Sequence, residues 1–179
     1  LIVNKLEDQY YEICDNMFHA LLDEAFMHLQ SMIIRKKIIN DVLFNEKISR
    51  SEDRDFSMRL YLKSKARFAY KNLITGIYFR HADNLTVNSP DNNLKMLSDH
   101  IEMFRGYISS DLNDIVAAKK LRRLLFNSHI SASYYYRKKN NYKISLQNLI
   151  ESFKYNIGMS QIKELTKLFI SRLVNDIKK

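Results

Sequence analysis

The segment EDRDFSMRL, residues 52–60, decides how the first half of the chain folds. Phe56 and Leu60 lie four residues apart, which places them on one face of a helix. The acidic residues come first, where unpaired backbone N–H groups stabilise negative charge, and basic residues follow over 63–67, where cations are favourable. The segment therefore predicts a helix that begins at Asp53 and ends near this basic cluster.

The sequence on both sides of this helix predicts short strands. Residues 27–34 mix alternating and continuous apolar positions, which indicates a strand, and they lead into a short helix over 35–42. After the acidic helix, residues 66–70 and 74–80 are rich in aromatic and β-branched side chains, which favour strands. Near the start, the spacing of apolar residues over 6–21 predicts an amphipathic helix. The first half is thus predicted to be α/β, with few strands and flanking helices.

A polar segment that contains the only proline, Pro90, marks a predicted domain boundary. Residues 1–89 form one predicted domain and residues 90–179 a second. Beyond the boundary the apolar spacing is helical to the end, and it predicts four helices, over residues 94–108, 111–137, 146–157 and 162–177. Asp111 is the predicted N-cap of the second of them. The predicted fold class is therefore an α/β part followed by an all-α tail, mostly helical in total.

Composition limits the classes of protein to which the chain can belong. Of 179 residues, 46% are hydrophobic and 27% are charged, which excludes a disordered or collagen-like chain. Three glycines cannot supply the common glycine-rich phosphate loops. The single cysteine, Cys14, excludes an intrachain disulfide and favours a reducing, cytoplasmic compartment. No apolar run approaches the ~20 residues of a membrane-spanning helix.

The charge balance predicts an anionic partner. There are 29 Lys and Arg against 20 Asp and Glu, a net charge of +9, which suits nucleic acid, phospholipid headgroups or a nucleotide-linked substrate. Basic residues at 119–123 and 137–139 lie beside three tyrosines at 134–136, a combination that can bind nucleic acid. No helix-turn-helix, RNA-recognition or zinc-finger signature accompanies them, so a solvated basic face is the favoured interpretation.

Several short motifs follow one another through residues 32–86. They are MIIR at 32–35, FNE at 44–46, EDRDFSMRL at 52–60, YFRH at 78–81 and NLT at 84–86. Their order and spacing resemble the C-terminal half of the catalytic domain of family 2 glycosyltransferases of the GT-A fold. The resemblance implies that residues 1–89 are the acceptor-side part of such a domain and that residues 90–179 are a helical extension.

The resemblance implies an inverting transferase in which Asp53 is the catalytic base and Glu52 helps to position the acceptor. A base takes the proton of the acceptor hydroxyl while that oxygen attacks the anomeric carbon of the donor sugar. A carboxylate at a helix N-terminus is stabilised as the anion that this role requires. The alternative is that Asp53 only stabilises the start of the helix, an effect of about 1 kcal/mol. Asp55 and Arg59 are expected to form an ion pair on one helix face.

The resemblance also implies a diphosphate site at Arg80 and His81. A guanidinium matches two phosphate oxygens, and His81 would approach the nucleotide diphosphate or its metal. The family usually separates its Arg and His by one residue, whereas these two are adjacent and would point to opposite faces of a strand. One of the two is therefore expected to enter the site.

The implied cofactor is a divalent metal, Mg²⁺ or Mn²⁺, held in the complete enzyme by an Asp-x-Asp motif that precedes residue 1. Asp53-Arg54-Asp55 has this spelling but lies within the acidic helix and not after a strand. The chain is thus expected to be the C-terminal part of a longer enzyme of glycan synthesis, inactive by itself.

The implied partners are a nucleotide-sugar donor and a glycan or lipid-linked acceptor. Contact with the inner membrane face and self-association through the helical tail are further expectations. The competing class is a non-enzymatic basic helical module that binds another macromolecule, with nucleic acid as a candidate, in which Glu52 and Asp53 only cap a helix.

Overall fold

The computed structural model describes residues 3–7, 9–13, 16–23, 29–39, 42–71, 73, 89–110 and 113–177. Across these residues the chain is mostly helical and has three strands, which confirms the coarse prediction of many helices and few strands. The chain divides into two compact units, an N-terminal unit of residues 1–84 and a C-terminal unit of residues 85–179. The division falls a little before the Pro90 boundary that the sequence predicts.

A three-stranded antiparallel sheet opens the N-terminal unit. Strand β1 (Val3–Glu7) pairs with β2 (Tyr10–Ile13), and β2 pairs on its other side with β3 (Phe68–Lys71). The helix predicted over residues 6–21 is therefore wrong in its first half. Gln9 takes a φ of 63°, which turns the chain between β1 and β2, and Tyr11 stacks on Tyr70 of β3 at a ring distance of 5.2 Å. Local apolar spacing cannot indicate this contact, because Tyr11 and Tyr70 are far apart in the chain.

Short helical pieces precede the acidic helix. Helix α1 (Met17–Leu22) begins at Asn16, whose side chain accepts a hydrogen bond from the Phe18 N–H at 3.0 Å. A 3₁₀ turn at Leu29–Ser31 leads through irregular residues 32–35 to helix α2 (Lys36–Ile39). The strand predicted over residues 27–34 is thus wrong for residues 29–34, and residues 27 and 28 lie outside the described part. The Ile33 side chain is fully exposed, so this apolar run does not form a buried strand.

Helix α3 (Glu52–Ser64) is the centre of the N-terminal unit. Its Phe56 and Leu60 form a buried cluster with Val42, against which partly buried side chains from residues 29–38 pack. The helix predicted from Asp53 and the strand predicted over 66–70 are both confirmed, with small shifts at their ends. The strand predicted over 74–80 lies outside the described residues.

Four helices make up the described part of the C-terminal unit, as predicted. They are α4 (Pro90–Ser109), α5 (Ile115–Lys138), α6 (Tyr142–Ser152) and α7 (Met159–Ile177), and α5 packs against the other three. Asp114, not Asp111, is the N-cap of α5, where its carboxylate accepts from the Ala117 N–H at 2.9 Å. Asp111 itself lies outside the described residues.

Buried polar contacts fix α7 against the helices before it. The Gln161 side chain is fully buried, accepts from the Gly158 N–H and donates to the Ser152 hydroxyl, which closes the turn between α6 and α7. Arg137 of α5 donates to Glu164 of α7 at 2.8 Å, and both side chains are about nine-tenths buried. One face of α7 is therefore buried in the interior of this unit.

Candidate active site

The predicted acidic pair opens α3. Glu52 and Asp53 are its first two residues, and both side chains are half-buried. Asp53 Oδ1 accepts a hydrogen bond from the Arg54 N–H at 2.7 Å. The N-cap residue, Ser51, makes no side-chain capping bond. The pair therefore lies at the positive end of the helix dipole, beside the N–H groups of the first turn.

Arg54 anchors the start of α3 to the end of α1. Its guanidinium donates to the carbonyl oxygens of Leu21 at 2.9 Å and Leu22 at 3.1 Å. Leu21 and Leu22 are themselves buried, so the two carbonyls are fixed in the core. The two hydrogen bonds of the Arg54 guanidinium therefore fix the position of the first turn of α3, which carries Asp53.

Asp55 and Arg59 form the ion pair that the sequence predicts. Arg59 Nε lies 2.8 Å from Asp55 Oδ2, one helical turn away, and Arg59 Nη1 donates to the Leu43 carbonyl at 2.7 Å. Asp55 is buried, whereas Asp53 is half-buried. The two aspartates of Asp53-Arg54-Asp55 thus differ in role, because Asp55 pairs with Arg59, which in turn binds the carbonyl of Leu43 in the preceding loop.

The FNE motif, residues 44–46, lies against the same helix. The ring of Phe44 stacks on Phe56 with 4.6 Å between centroids, and Asn45 closes a tight turn by accepting from the Ile48 N–H. The sequence places these motifs in order but does not show that they touch. The structure brings them together, and the four-residue spacing between Phe56 and Leu60 was the one local sign that this face of α3 is covered.

Arg80 and His81, the predicted diphosphate ligands, lie outside the described residues. Among the residues that are described, no three His, Cys, Asp or Glu side chains are grouped so that they could hold a metal ion. Asp55 is already engaged by Arg59. The divalent metal stays a prediction, because the resemblance places its Asp-x-Asp ligands before residue 1 and His81 lies outside the described residues.

A groove that the sequence did not indicate lies in the C-terminal unit between α5 and α7. This groove has a volume of about 360 Å³, and its lining includes Ser131, Tyr134, Ser160, Lys163 and Lys167. The Tyr134 ring is covered by the Arg137 guanidinium at 5.4 Å and by Lys138 Nζ at 5.8 Å. Cations thus already occupy the aromatic surface that a nucleic-acid base would need for stacking.

Comparisons of the chain with protein-family models, with curated proteins and with solved structures found no match. Within the described part of the chain, no helix combines the length and the apolar composition needed to cross a bilayer. The class of protein must therefore be inferred from the motifs and from the geometry around α3.

Proposed function

We propose that the N-terminal unit is the acceptor-side part of a GT-A-like, nucleotide-sugar-dependent glycosyltransferase of glycan synthesis that works at the cytoplasmic face of a membrane. The observation that carries this proposal is the acidic pair, Glu52 and Asp53, in the first turn of a helix that Arg54 anchors to buried carbonyls. The order of the motifs through residues 32–86 supports it.

In the proposed reaction Asp53 is the general base. It takes the proton of the acceptor hydroxyl as that oxygen bonds to the anomeric carbon of the donor sugar. The bond from this carbon to the diphosphate oxygen breaks, the nucleoside diphosphate leaves, and the configuration inverts. Asp53 lies at the positive end of the helix dipole, and its half-buried position leaves it open to an acceptor.

The other predicted residues have positioning roles in this proposal. Glu52 is next to the base and would accept a hydrogen bond from the acceptor sugar. Arg80 and His81 would bind the donor diphosphate, since cationic and N–H donors match phosphate oxygens. The divalent metal belongs to the donor-binding part of the complete enzyme and would neutralise the leaving diphosphate when bound.

The competing proposal is a non-enzymatic helical module with a basic face. It is favoured by the exposed side chains of Lys119, Arg122 and Arg123 on α5. In that case the carboxylate of Asp53 only stabilises α3, by about 0.3–1 kcal/mol. The cations that cover Tyr134 weigh against nucleic acid as its partner.

A pair of matched variants separates these two proposals. Asp53 is the second residue of α3, and Asp91 is the second residue of α4, so each carboxylate lies in the first turn of a helix. In the complete enzyme, Asp53→Asn is expected to lower the rate of sugar transfer by about 10²–10⁴-fold, the usual contribution of a general base. Nucleotide-sugar binding, measured by calorimetry, is expected to stay nearly unchanged.

The control, Asp91→Asn, is expected to leave transfer unchanged while it lowers the free energy of unfolding by an amount similar to that caused by Asp53→Asn. Both variants remove one first-turn charge, so the loss of stability from the helix dipole is common to both. Asp91→Asn also removes an exposed ion pair with Lys139, which contributes little to stability. If Asp53→Asn retains the wild-type transfer rate, Asp53 is not the base and the helix-capping interpretation holds.

A further inference from the structure

Helix α7 carries an exposed apolar stripe. Seven of its side chains are between 46% and 83% exposed: Met159, Ile162, Phe169, Ile170, Leu173, Val174 and Ile177. Their spacing of three, four and seven places them along one side of the helix. Thr166 is the exposed residue between Ile162 and Phe169 on this side. Seven large apolar side chains along one side of a helix are unusual on a surface that faces only water.

The stripe lies opposite the side of α7 that is packed in the unit. The buried residues of this helix are Gln161, Glu164 and Leu168. With 3.6 residues per turn, they lie on the side of the helix away from the stripe. The stripe can therefore be covered by something else without undocking α7 from α5 and α6.

The charge beside the stripe is positive. Lys163 and Lys167 are exposed, lie one turn apart on one border of the stripe and also line the groove between α5 and α7. Of the two acidic residues of α7, Glu164 is buried and bound to Arg137, and Asp176 lies in the last turn of the helix, away from Lys163 and Lys167 along its axis. Hydroxyl groups of Ser131 and Ser160 face the same groove. A row of apolar side chains bordered by lysines is typical of helices that lie in a membrane interface.

A second copy of the chain fits this surface less well. In a symmetric dimer the stripe of one copy would face the stripe of its partner, because a two-fold axis pairs the same surface of both chains. A symmetric pair of α7 helices would also bring lysines of both copies to one interface, where like charges repel. Anionic phospholipid headgroups complement the same lysines.

We propose that α7 binds the surface of a membrane that contains anionic phospholipid. Its apolar stripe enters the boundary between headgroups and acyl chains, and Lys163 and Lys167 contact headgroup phosphates. This binding does not depend on Asp53, and it would hold the chain at the surface where a lipid-linked acceptor is found.

The experiment is co-sedimentation of the full chain with lipid vesicles, without donor or acceptor, so that its result is independent of the proposed catalysis. The wild-type chain is expected to bind vesicles that contain both phosphatidylglycerol and phosphatidylcholine. It is expected to bind vesicles of phosphatidylcholine alone much more weakly. Ile170→Asn is expected to lower the partition coefficient about fivefold to tenfold, because it removes one inserted aliphatic side chain. The double variant Lys163→Gln, Lys167→Gln is expected to lower the partition coefficient roughly fivefold per lysine. This loss is expected with anionic vesicles and not with neutral ones.

Matched controls carry the same substitutions elsewhere in the unit. Ile115→Asn changes an isoleucine that is 87% exposed, and it lies at the end of α5 away from the residues that contact α7. Lys95→Gln with Lys119→Gln removes the same net charge from exposed positions on α4 and α5. Both controls are expected to bind within about twofold of the wild type, because neither touches the stripe.

Three outcomes would overturn the proposal. One is equal sedimentation with anionic and neutral vesicles, and another is loss of binding in the controls as large as in the α7 variants. The third is a dimer in lipid-free sedimentation velocity that Ile170→Asn dissociates, which would assign the stripe to a second copy of the chain.

Discussion

The imidazole of His129 is buried against α6 in the C-terminal unit. Its Nδ1 donates to Asn148 Oδ1 at 3.0 Å, its ring stacks on Tyr155, and its Nε2 is buried without a hydrogen-bond partner. Burial lowers the pKa of His129 below its ordinary value of 6.5, and the hydrogen bond with Asn148 opposes that shift only in part. The neutral ring is thus the form that the folded state accommodates.

This lowered pKa predicts a loss of stability at mildly acidic pH. Below pH 6.5 the unfolded chain binds a proton at this histidine before the folded chain does, so the free energy of unfolding falls as the pH falls. The slope from this one group is at most about 1.4 kcal/mol per pH unit. Urea denaturation at pH 7.5 and pH 5.5 measures it.

The variant His129→Gln provides the comparison for this prediction. It removes the titrating ring, so its free energy of unfolding should change less between the two pH values than that of the wild type. Glu151, whose pKa is lowered by its hydrogen bond from Lys154, loses its contribution only below its ordinary value of 4.5. An equal pH dependence in both proteins would show that His129 is not the responsible group.

At the scale of elements, the turn between β1 and β2 is under backbone strain. Gln9 has a φ of 63°, which is a left-handed conformation. Its side chain is exposed, so side-chain burial does not offset the cost of this conformation. This conformation costs a residue with a Cβ roughly 1 kcal/mol, and glycine adopts it freely. The sheet therefore holds Gln9 in a conformation that its own preference disfavours.

We expect Gln9→Gly to raise the free energy of unfolding by about 0.5–1 kcal/mol. It places glycine after Asp8, and Asp-Gly is a favoured hairpin sequence. The control Gln9→Ala keeps the Cβ and should bring no gain. Chemical denaturation of the three proteins tests this, and destabilisation by glycine would mean that the turn needs the glutamine side chain.

At the scale of the whole molecule, each unit has its own buried residues. In the C-terminal unit, Leu121, Leu125, Leu149 and Leu168 are almost fully buried and come from three helices. Buried polar contacts of Gln161 and of Arg137 with Glu164 also lie entirely within it. A unit of this length can bury a sufficient core by itself.

We therefore expect residues 85–179, expressed alone, to fold. The fragment should show a helical far-ultraviolet circular dichroism spectrum and a single cooperative thermal transition. As a control, Leu125→Ala in the fragment should lower its free energy of unfolding by about 2–5 kcal/mol, because it opens a cavity in the core. A fragment that melts without cooperativity would show that its core depends on the rest of the chain.

Features that depend on neighbours within one or two helical turns follow from the amino-acid sequence. The acidic helix α3, its Asp55–Arg59 pair and the four helices of the C-terminal unit were all predicted from such spacing, and the structure contains them. The roles of Glu52, Asp53, Arg80 and His81 in sugar transfer stay predictions, because they depend on groups that lie beyond the described residues.

Features that depend on residues far apart in the chain are visible only once the chain is folded. A hairpin forms where the sequence predicts a helix, and in it Tyr11 stacks on the distant Tyr70. Helix α3 is anchored because Arg54 donates to the carbonyls of Leu21 and Leu22. The packed side of α7 carries Gln161, Glu164 and Leu168, whereas most of its large apolar side chains face outward, so apolar spacing alone could not show which side packs. The long-range contacts of Gln161 and Glu164 fix which side of α7 packs in the unit. The hydrophobic effect is non-directional and does not by itself select one side of a helix.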